Sequence, residues 1–139
     1  MSSCTFFGHS VCPSEIYDKL REQIIILIDR GISEFFVGDR GEFDVMVLKA
    51  LRELKEEYTF NYQVVLAYLP KESGFFSDDP NSVFPEELAC VYKRFAIDYR
   101  NNYMLKRSDY IITYTPYPFG GAAKFAEKAR RQGKTVIEL

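Results

Sequence analysis

The sequence predicts a single α/β domain in which five mainly parallel strands form a doubly wound sheet with helices on both faces. Short β-prone runs alternate with segments that have the apolar spacing of amphipathic helices, which is typical of a parallel sheet. The 139 residues are the size of one ordinary domain. No repeat, low-complexity tract or change of composition divides the chain, so residues 1–139 are predicted to form one domain.

Strands are predicted at the short β-prone or apolar runs. In chain order these runs cover residues 3–7, 34–37, 62–69, 109–114 and 135–139. The first run ends at Gly8 and the second at Gly38. The third is nearly all apolar from Val64 onward, as expected for a strand that is buried on both faces of a sheet.

Four connecting helices are predicted from apolar residues at helical spacing, over residues 13–30, 41–57, 85–107 and 120–132. Pro13 suits a helix start, and Gly31 and Gly133 are natural stops. The third helix is predicted either as one long helix or as two with a break near Arg100. Its aromatic residues at helical spacing are interpreted as core, with a dimer surface as the alternative. These residues are Tyr92, Phe95, Tyr99 and Tyr103.

Composition excludes several classes of protein. The 18 basic and 20 acidic residues give a net charge of −2, which disfavours nucleic acid as the partner. A hydrophobic content of 47% excludes disorder, and no apolar run reaches the roughly 18 residues of a membrane span. The first ten residues do not resemble a signal peptide. Cys4, Cys12 and Cys90 lack CxxC spacing, so we expect reduced thiols in a cytoplasmic protein without a metal site.

Ligands of doubly wound sheets bind at the carboxyl ends of the strands. Four loops are predicted there, at residues 8–11, 38–41, 70–84 and 115–121. A loop as long as residues 70–84 is usually functional or mobile, so a lid over the site is one interpretation. The pair Gly120-Gly121 directly before a helix is the best candidate for a phosphate cradle, because exposed amides and the helix dipole favour an anion. The alternative is a plain tight turn.

Polar residues in the first two loops are further candidates. Asp39 and Arg40 would bind ribose hydroxyls and phosphate, or they form a capped turn with a solvated arginine. Asp44 follows in the next helix. His9, the only histidine, is either an acid–base group or a loop histidine bonded to backbone, and the second interpretation is favoured.

The second half of the chain adds two charged candidates. Arg100 is placed where a guanidinium would reach the Gly120 loop, with a surface helix residue as the alternative. Glu127 lies in the last helix, and its pattern alone favours a solvated glutamate. Basic residues cluster near it and are interpreted as a solvated face rather than a nucleic-acid patch. They are Lys124, Lys128, Arg130, Arg131 and Lys134.

Several motifs resemble the SLOG superfamily, the group of Rossmann-like domains that includes the DNA-processing and Lonely Guy proteins. The turn Gly8-His9-Ser10 resembles its first loop, and Gly38-Asp39-Arg40-Gly41-x-x-Asp44 its second glycine-rich turn with an acidic residue. The sharpest match is to the Lonely Guy pattern of an arginine, a methionine four residues later, Ser-Asp, a strand and a glycine-rich loop. Here these are Arg100, Met104, Ser108-Asp109, residues 110–114 and Gly120-Gly121.

The resemblance implies a Rossmann-like three-layer sandwich and a role for each matching residue. Arg100 would be the active-site arginine, Gly120 and Gly121 the phosphate-loop glycines, and Glu127 the catalytic glutamate. The chain departs from the pattern where Ala123 and Lys124 replace a Gly-Thr pair that helps to hold phosphate. Lys124 would then supply a replacement cation or point into solvent. Residues 114–118 are additional to the pattern, and Phe119 replaces a proline.

These observations lead to three functional hypotheses. The first is a sensor or regulatory module that binds a nucleotide-like small molecule, because the altered loop favours binding without turnover. The alternative is a phosphoribohydrolase that cleaves the N-glycosidic bond of a nucleoside 5′-monophosphate. Single-stranded DNA binding is a weaker alternative, since the net charge does not support a basic groove. No cofactor is predicted, and a homo-oligomer is left open.

Overall fold

A computed structural model describes residues 2–69 and 79–139. It contains one parallel sheet and four α-helices. The strands are β1 (Ser3–Gly8), β2 (Glu34–Val37), β3 (Asn61–Val65), β4 (Ser82–Val83), β5 (Tyr110–Tyr114) and β6 (Thr135–Glu138). The helices are α1 (Ile16–Asp29), α2 (Gly41–Leu54), α3 (Ala96–Lys106) and α4 (Gly121–Arg131). Two short 3₁₀ turns, Glu86–Leu88 and Lys93–Phe95, precede α3.

The strand order is β4-β3-β2-β1-β5-β6, and every neighbouring pair is parallel. The predicted α/β class and parallel sheet are therefore confirmed. The direction of winding reverses between β1 and β5, which are neighbours in the sheet but distant in sequence. Such a reversal leaves a crevice at the carboxyl ends of the two strands, since the helices that follow them lie on opposite faces.

Alternation along the strands places apolar side chains in two cores, one on each face of the sheet. In β1, Phe6 joins the core beneath α1 and α2, whereas Phe7 joins the core beneath α3 and α4. In β5, Ile112 and Ile111 divide in the same way. The sheet with helices on both faces is the three-layer sandwich that the sequence predicted.

The sheet has six strands rather than the predicted five. Ser82 and Val83 pair with Val64 and Val65 at the edge of the sheet. Two residues are too short for a recognisable β pattern, so only the pairing reveals this strand. Buried Asp79 holds the segment in place, because its carboxylate accepts hydrogen bonds from Arg52 and from the backbone N–H of Asn81. The remainder of the predicted lid, residues 70–78, lies outside the described residues.

The prediction of a helix over residues 85–107 was wrong in its first half. The α-helix begins only at Ala96, because Tyr92 adopts an extended conformation (ψ 140°) that interrupts helical geometry. Three of the four aromatic residues assigned to the core, Tyr92, Phe95 and Tyr99, are exposed, so the assignment was wrong for them. Tyr103 is partly buried and packs against the core beneath α3 and α4. The buried face of α3 comprises Ala96, Arg100, Asn101, Met104 and Leu105.

Other sequence expectations concern thiols and membrane spans. All three cysteines are free, in agreement with the expectation of unpaired thiols. Within residues 2–69 and 79–139, no helix has the length and apolar character needed to cross a bilayer.

Candidate functional site

A cleft with a volume of about 180 Å³ lies at the carboxyl end of β1, the strand beside which the direction of winding reverses. Its wall includes the end of β1, the first turns of α2 and α4, and α3. The structure brings six of the predicted site residues together there: Gly8, Ser10, Arg40, Asp44, Arg100 and Gly121. A larger cavity of about 460 Å³ lies over β2, β3 and β4 and contains none of the predicted site residues.

Arg100 is buried beneath this cleft, with 3% of its surface exposed. Its Nη1 donates to the carboxylate of Asp39 at 2.8 Å and to the carbonyl of Val65 at 3.1 Å. Its Nε donates to the side chain of Asn101 at 2.9 Å. Arg100 thus connects α3 to the ends of β2 and β3, and the charge of Asp39 offsets its own within the protein. The alternative of a surface helix residue is wrong.

Gly38 permits this close approach at the end of β2. A β-carbon at residue 38 would lie 2.7 Å from Arg100 Nη1 and 2.7 Å from Asp44 Oδ2. Any side chain would therefore displace two charged groups at once. Gly38, which the sequence suggested as part of a ligand-binding turn, is thus required for the close packing of Arg100 against the end of β2.

Two carboxyl groups line the cleft, and that of Asp44 is buried whereas that of Asp98 is partly exposed. Asp44 Oδ2 accepts a hydrogen bond from the backbone N–H of Arg40 at 3.1 Å. Burial raises the pKa of Asp44 to about 6; Asp39 adds to the rise, while Arg100 and the Arg40 N–H oppose it. A carboxyl group in this environment changes charge near neutral pH, which distinguishes Asp44 from an ordinary surface aspartate.

Two helix N-termini open on the cleft. Helix α4 begins at Gly121 after Gly120, which has a positive φ of 96°, and none of the described side chains caps it. A β-carbon at Gly121 would meet no atom of residues 2–69 and 79–139 within 4 Å. Helix α2 begins at Gly41 and also lacks a side-chain cap. The start of α4 has no acidic residue in its first turn, so its N–H groups and dipole favour an anion. In α2, by contrast, the N–H of Glu42 donates to the carbonyl of Ser10, and Glu42 and Asp44 lie in the first turn.

His9 lies beside the start of α4 rather than in the lining of the cleft. Its ring is within 3.7 Å of the position that a β-carbon of Gly120 would occupy. Its backbone N–H donates to the carbonyl of Tyr114 at 3.1 Å, so the loop after β1 is attached to the end of β5. The side-chain atoms His9 Nε2 and Asp39 Oδ2 are buried and have no hydrogen-bond partner among the residues that the structure describes. Such groups are rare in folded proteins and are often completed by water or ligand.

The structure does not bring Glu127 to the cleft. Its side chain is 57% exposed and lies 3.4 Å from Arg130, which also bonds Glu138 in β6. Lys124 faces the other way, toward α3, and pairs with Asp98 at 3.0 Å. The residue that the resemblance assigns to catalysis, Glu127, therefore lies on the exposed surface of α4. Lys124 lies at the rim of the cleft, because its partner Asp98 lines the cleft.

Sequence analysis missed some of the site. Ile97, Asp98 and Asn101 line the cleft, and none of them carried a recognisable signal. Tyr117 packs against His9, with ring centroids 5.6 Å apart. The extra residues between β5 and α4 were the available signal for this aromatic contact. Among residues 2–69 and 79–139, no three His, Cys, Asp or Glu side chains are grouped to hold a metal ion.

The fold can be compared with that of known proteins. No family model matches the sequence, and no curated protein matches it significantly. DNA processing protein A from Streptococcus pneumoniae superposes with a TM-score of 0.71 over 99% of this chain at 12% identity. The chain therefore shares the fold of the matched part of that protein. The match covers 50% of the length of that solved structure, so the chain spans about half of it. At this identity, the likeness establishes the architecture only.

Proposed function

We propose that this SLOG-type domain binds a nucleotide or nucleotide-derived ligand in the cleft and acts as a sensor or regulatory module. The observation that supports this proposal is the uncapped N-terminus of α4 on the same cleft as the guanidinium of Arg40. Gly121 would present its backbone N–H to the phosphate, and Ser10 would supply a hydroxyl. Both groups suit a phosphate ester, because neutral donors bind it without the desolvation of a buried charge.

The arginines divide their roles in this proposal. Arg100 already neutralises Asp39, so its main contribution is to position the loop after β2. Arg40 also lines the cleft, and its guanidinium stacks on the ring of Tyr68 at 4.8 Å. An arginine held by an aromatic face is oriented before the ligand arrives, which lowers the entropy lost on binding.

The size of the cleft supports partial enclosure of the ligand. Its volume of about 180 Å³ is smaller than the roughly 300–1,000 Å³ of sites that enclose drug-sized ligands. We infer that the phosphate and ribose occupy the cleft and that the base lies outside it. Such a site suits a nucleoside monophosphate, and it also suits one end of a larger nucleotide.

Binding has better support than hydrolysis. The phosphoribohydrolase alternative requires a carboxylate close to the glycosidic bond. Glu127 is exposed and outside the lining of the cleft. The carboxyl groups that line the cleft are those of Asp44, which accepts from the backbone of Arg40, and Asp98, which pairs with Lys124. The single-stranded DNA alternative has no support from net charge, which is −2.

The experiment is a calorimetric titration of AMP and ribose 5-phosphate into the wild type and two variants. Gly121→Val adds bulk where a β-carbon has open space, so the fold should survive while the phosphate is excluded. Ala123→Val is the matched control, because Ala123 is in the same helical turn but outside the cleft lining. We expect Gly121→Val to lose both ligands and Ala123→Val to keep them. Equal affinities in the two variants would contradict the proposal.

A further inference from the structure

The loop between β5 and α4 presents two exposed aromatic rings. Tyr117 and Phe119 are 58% and 67% exposed, although apolar rings of this size are normally packed. The two rings stack on each other with centroids 5.6 Å apart and an interplanar angle of 20°. Their mutual contact orders the rings and still leaves most of the surface of Phe119 accessible.

The pair continues a row of rings that starts beside the cleft. His9 lies next to Gly120 at the start of α4, and Tyr117 packs on His9 with centroids 5.6 Å apart. Phe119 packs in turn against the ring of Tyr117. Because the backbone of His9 is bonded to Tyr114, the row is anchored at the switch point of the sheet. It leads from the proposed phosphate position to the protein surface.

We infer that Tyr117 and Phe119 form a stacking surface for an unpaired nucleobase whose phosphate is held at the start of α4. This inference rests on the proposed function, and it concerns the base, which is the part of the ligand that lies outside the cleft. Phe119 precedes Gly121 by two residues, so the ring and the anion-binding amide belong to one segment. Every base has a π-face, and stacking on an aromatic ring typically strengthens binding roughly 5- to 100-fold per base.

The chemistry recognised is an unpaired base joined to a sugar phosphate. It is present in a free nucleotide and at each position of a single strand. Stacking requires no excess of positive charge, so the net charge of −2 is compatible with it. The surface accordingly selects for a base over a bare sugar phosphate, and the two sources are separated by experiment.

The sequence has no tryptophan, so Phe119→Trp introduces a single indole into the stack. A base that stacks on an indole quenches its fluorescence. The probes are AMP, adenosine, ribose 5-phosphate and a single-stranded oligothymidylate. Tyr92→Trp is the matched control, because Tyr92 is an exposed aromatic residue outside both the cleft and the ring row.

We expect base-containing probes to quench the Phe119→Trp indole at lower concentration than the Tyr92→Trp indole, and ribose 5-phosphate to quench neither. Quenching by AMP assigns the site to free nucleotides, and quenching by the oligonucleotide alone assigns it to single strands. Equal quenching in the two variants overturns the stacking surface. A failure of the proposed phosphate site is recognised separately, because ribose 5-phosphate would then not bind in calorimetry while adenosine still quenches.

A second measurement uses a substitution that keeps the apolar character of the loop. Phe119→Leu should lower the affinity for AMP by roughly 5- to 100-fold and leave that for ribose 5-phosphate unchanged. A similar loss for both probes would show that Phe119 acts through the conformation of the loop and would overturn the inference. Unchanged affinity for AMP would do the same.

Discussion

The guanidinium of Arg100 lies 2.8 Å from the carboxylate of Asp39, and both side chains are almost completely buried. This pair joins α3 to the end of β2 across 61 residues of sequence. Because the same Nη1 also bonds the carbonyl of Val65, one arginine organises two adjacent strand ends beside the cleft. The shape of the candidate site therefore depends on an interaction inside the protein.

We predict that breaking this pair destabilises the fold. Arg100→Met should lower the free energy of unfolding by about 3–5 kcal/mol, since it leaves a buried carboxylate without its partner. Urea unfolding measures the change. The matched control is Lys124→Met, which removes the exposed pair with Asp98 and should change stability by less than about 1 kcal/mol. Similar losses in the two variants would contradict the structural role of Arg100.

Gly38 is predicted to tolerate no side chain. Gly38→Ala places a β-carbon 2.7 Å from Arg100 and Asp44 and should lower the free energy of unfolding by about 1–3 kcal/mol. Gly121→Ala is the control, because a β-carbon there has no neighbour within 4 Å. That change should leave stability the same or raise it by about 0.4–1 kcal/mol. Both values come from urea unfolding, and a neutral Gly38→Ala would refute the close approach.

Stability is predicted to depend on pH through Asp44. Burial raises its pKa from 3.8 to about 6, so between these values the folded chain retains a proton that the unfolded chain has lost. Its contribution is fully present below about pH 4 and is lost as pH rises through about 6. Asp44→Asn keeps an oxygen for the Arg40 N–H and should flatten the decline. Parallel curves for the wild type and the variant from pH 4 to 7 would exclude this titration.

Glu127→Gln tests the hydrolase alternative. Because Glu127 is exposed and paired with Arg130, we expect the variant to bind AMP with unchanged affinity. Release of adenine from AMP, followed by chromatography, should also be the same in the wild type and the variant. A release by the wild type that is absent in Glu127→Gln would restore the catalytic role that the family resemblance implies.

The thiols are predicted to differ in reactivity. Cys90 is exposed, whereas burial raises the pKa of Cys12 to about 11 and raises that of Cys4 as well. Iodoacetamide should therefore alkylate one cysteine per native chain, which mass spectrometry would locate at Cys90. Cys90→Ser should abolish the fast reaction. Alkylation of two or more cysteines at the same rate in the native protein would contradict the burial of Cys4 and Cys12.

Much of the architecture was accessible from local patterns. The run at residues 34–37 followed by Gly38 identified β2 and the turn after it, and the run at residues 109–114 identified β5. These predictions succeeded because strands and helices impose periods of two and 3.6 residues on neighbouring side chains. The prediction of a helix before Ala96 was wrong. The aromatic residues there have the spacing of a buried helix face, but Tyr92 and Phe95 are exposed to solvent.

The sequence by itself determined the alternation of strands and helices, the parallel class and the glycine-containing turns, because each depends on residues close together in the chain. Only the tertiary structure decided which charges meet. In the tertiary structure Arg100 pairs with Asp39, Glu127 pairs with Arg130 outside the cleft, and the two-residue strand β4 pairs with β3. These outcomes depend on how distant strand ends and helix faces come together, and no local spacing records that geometry.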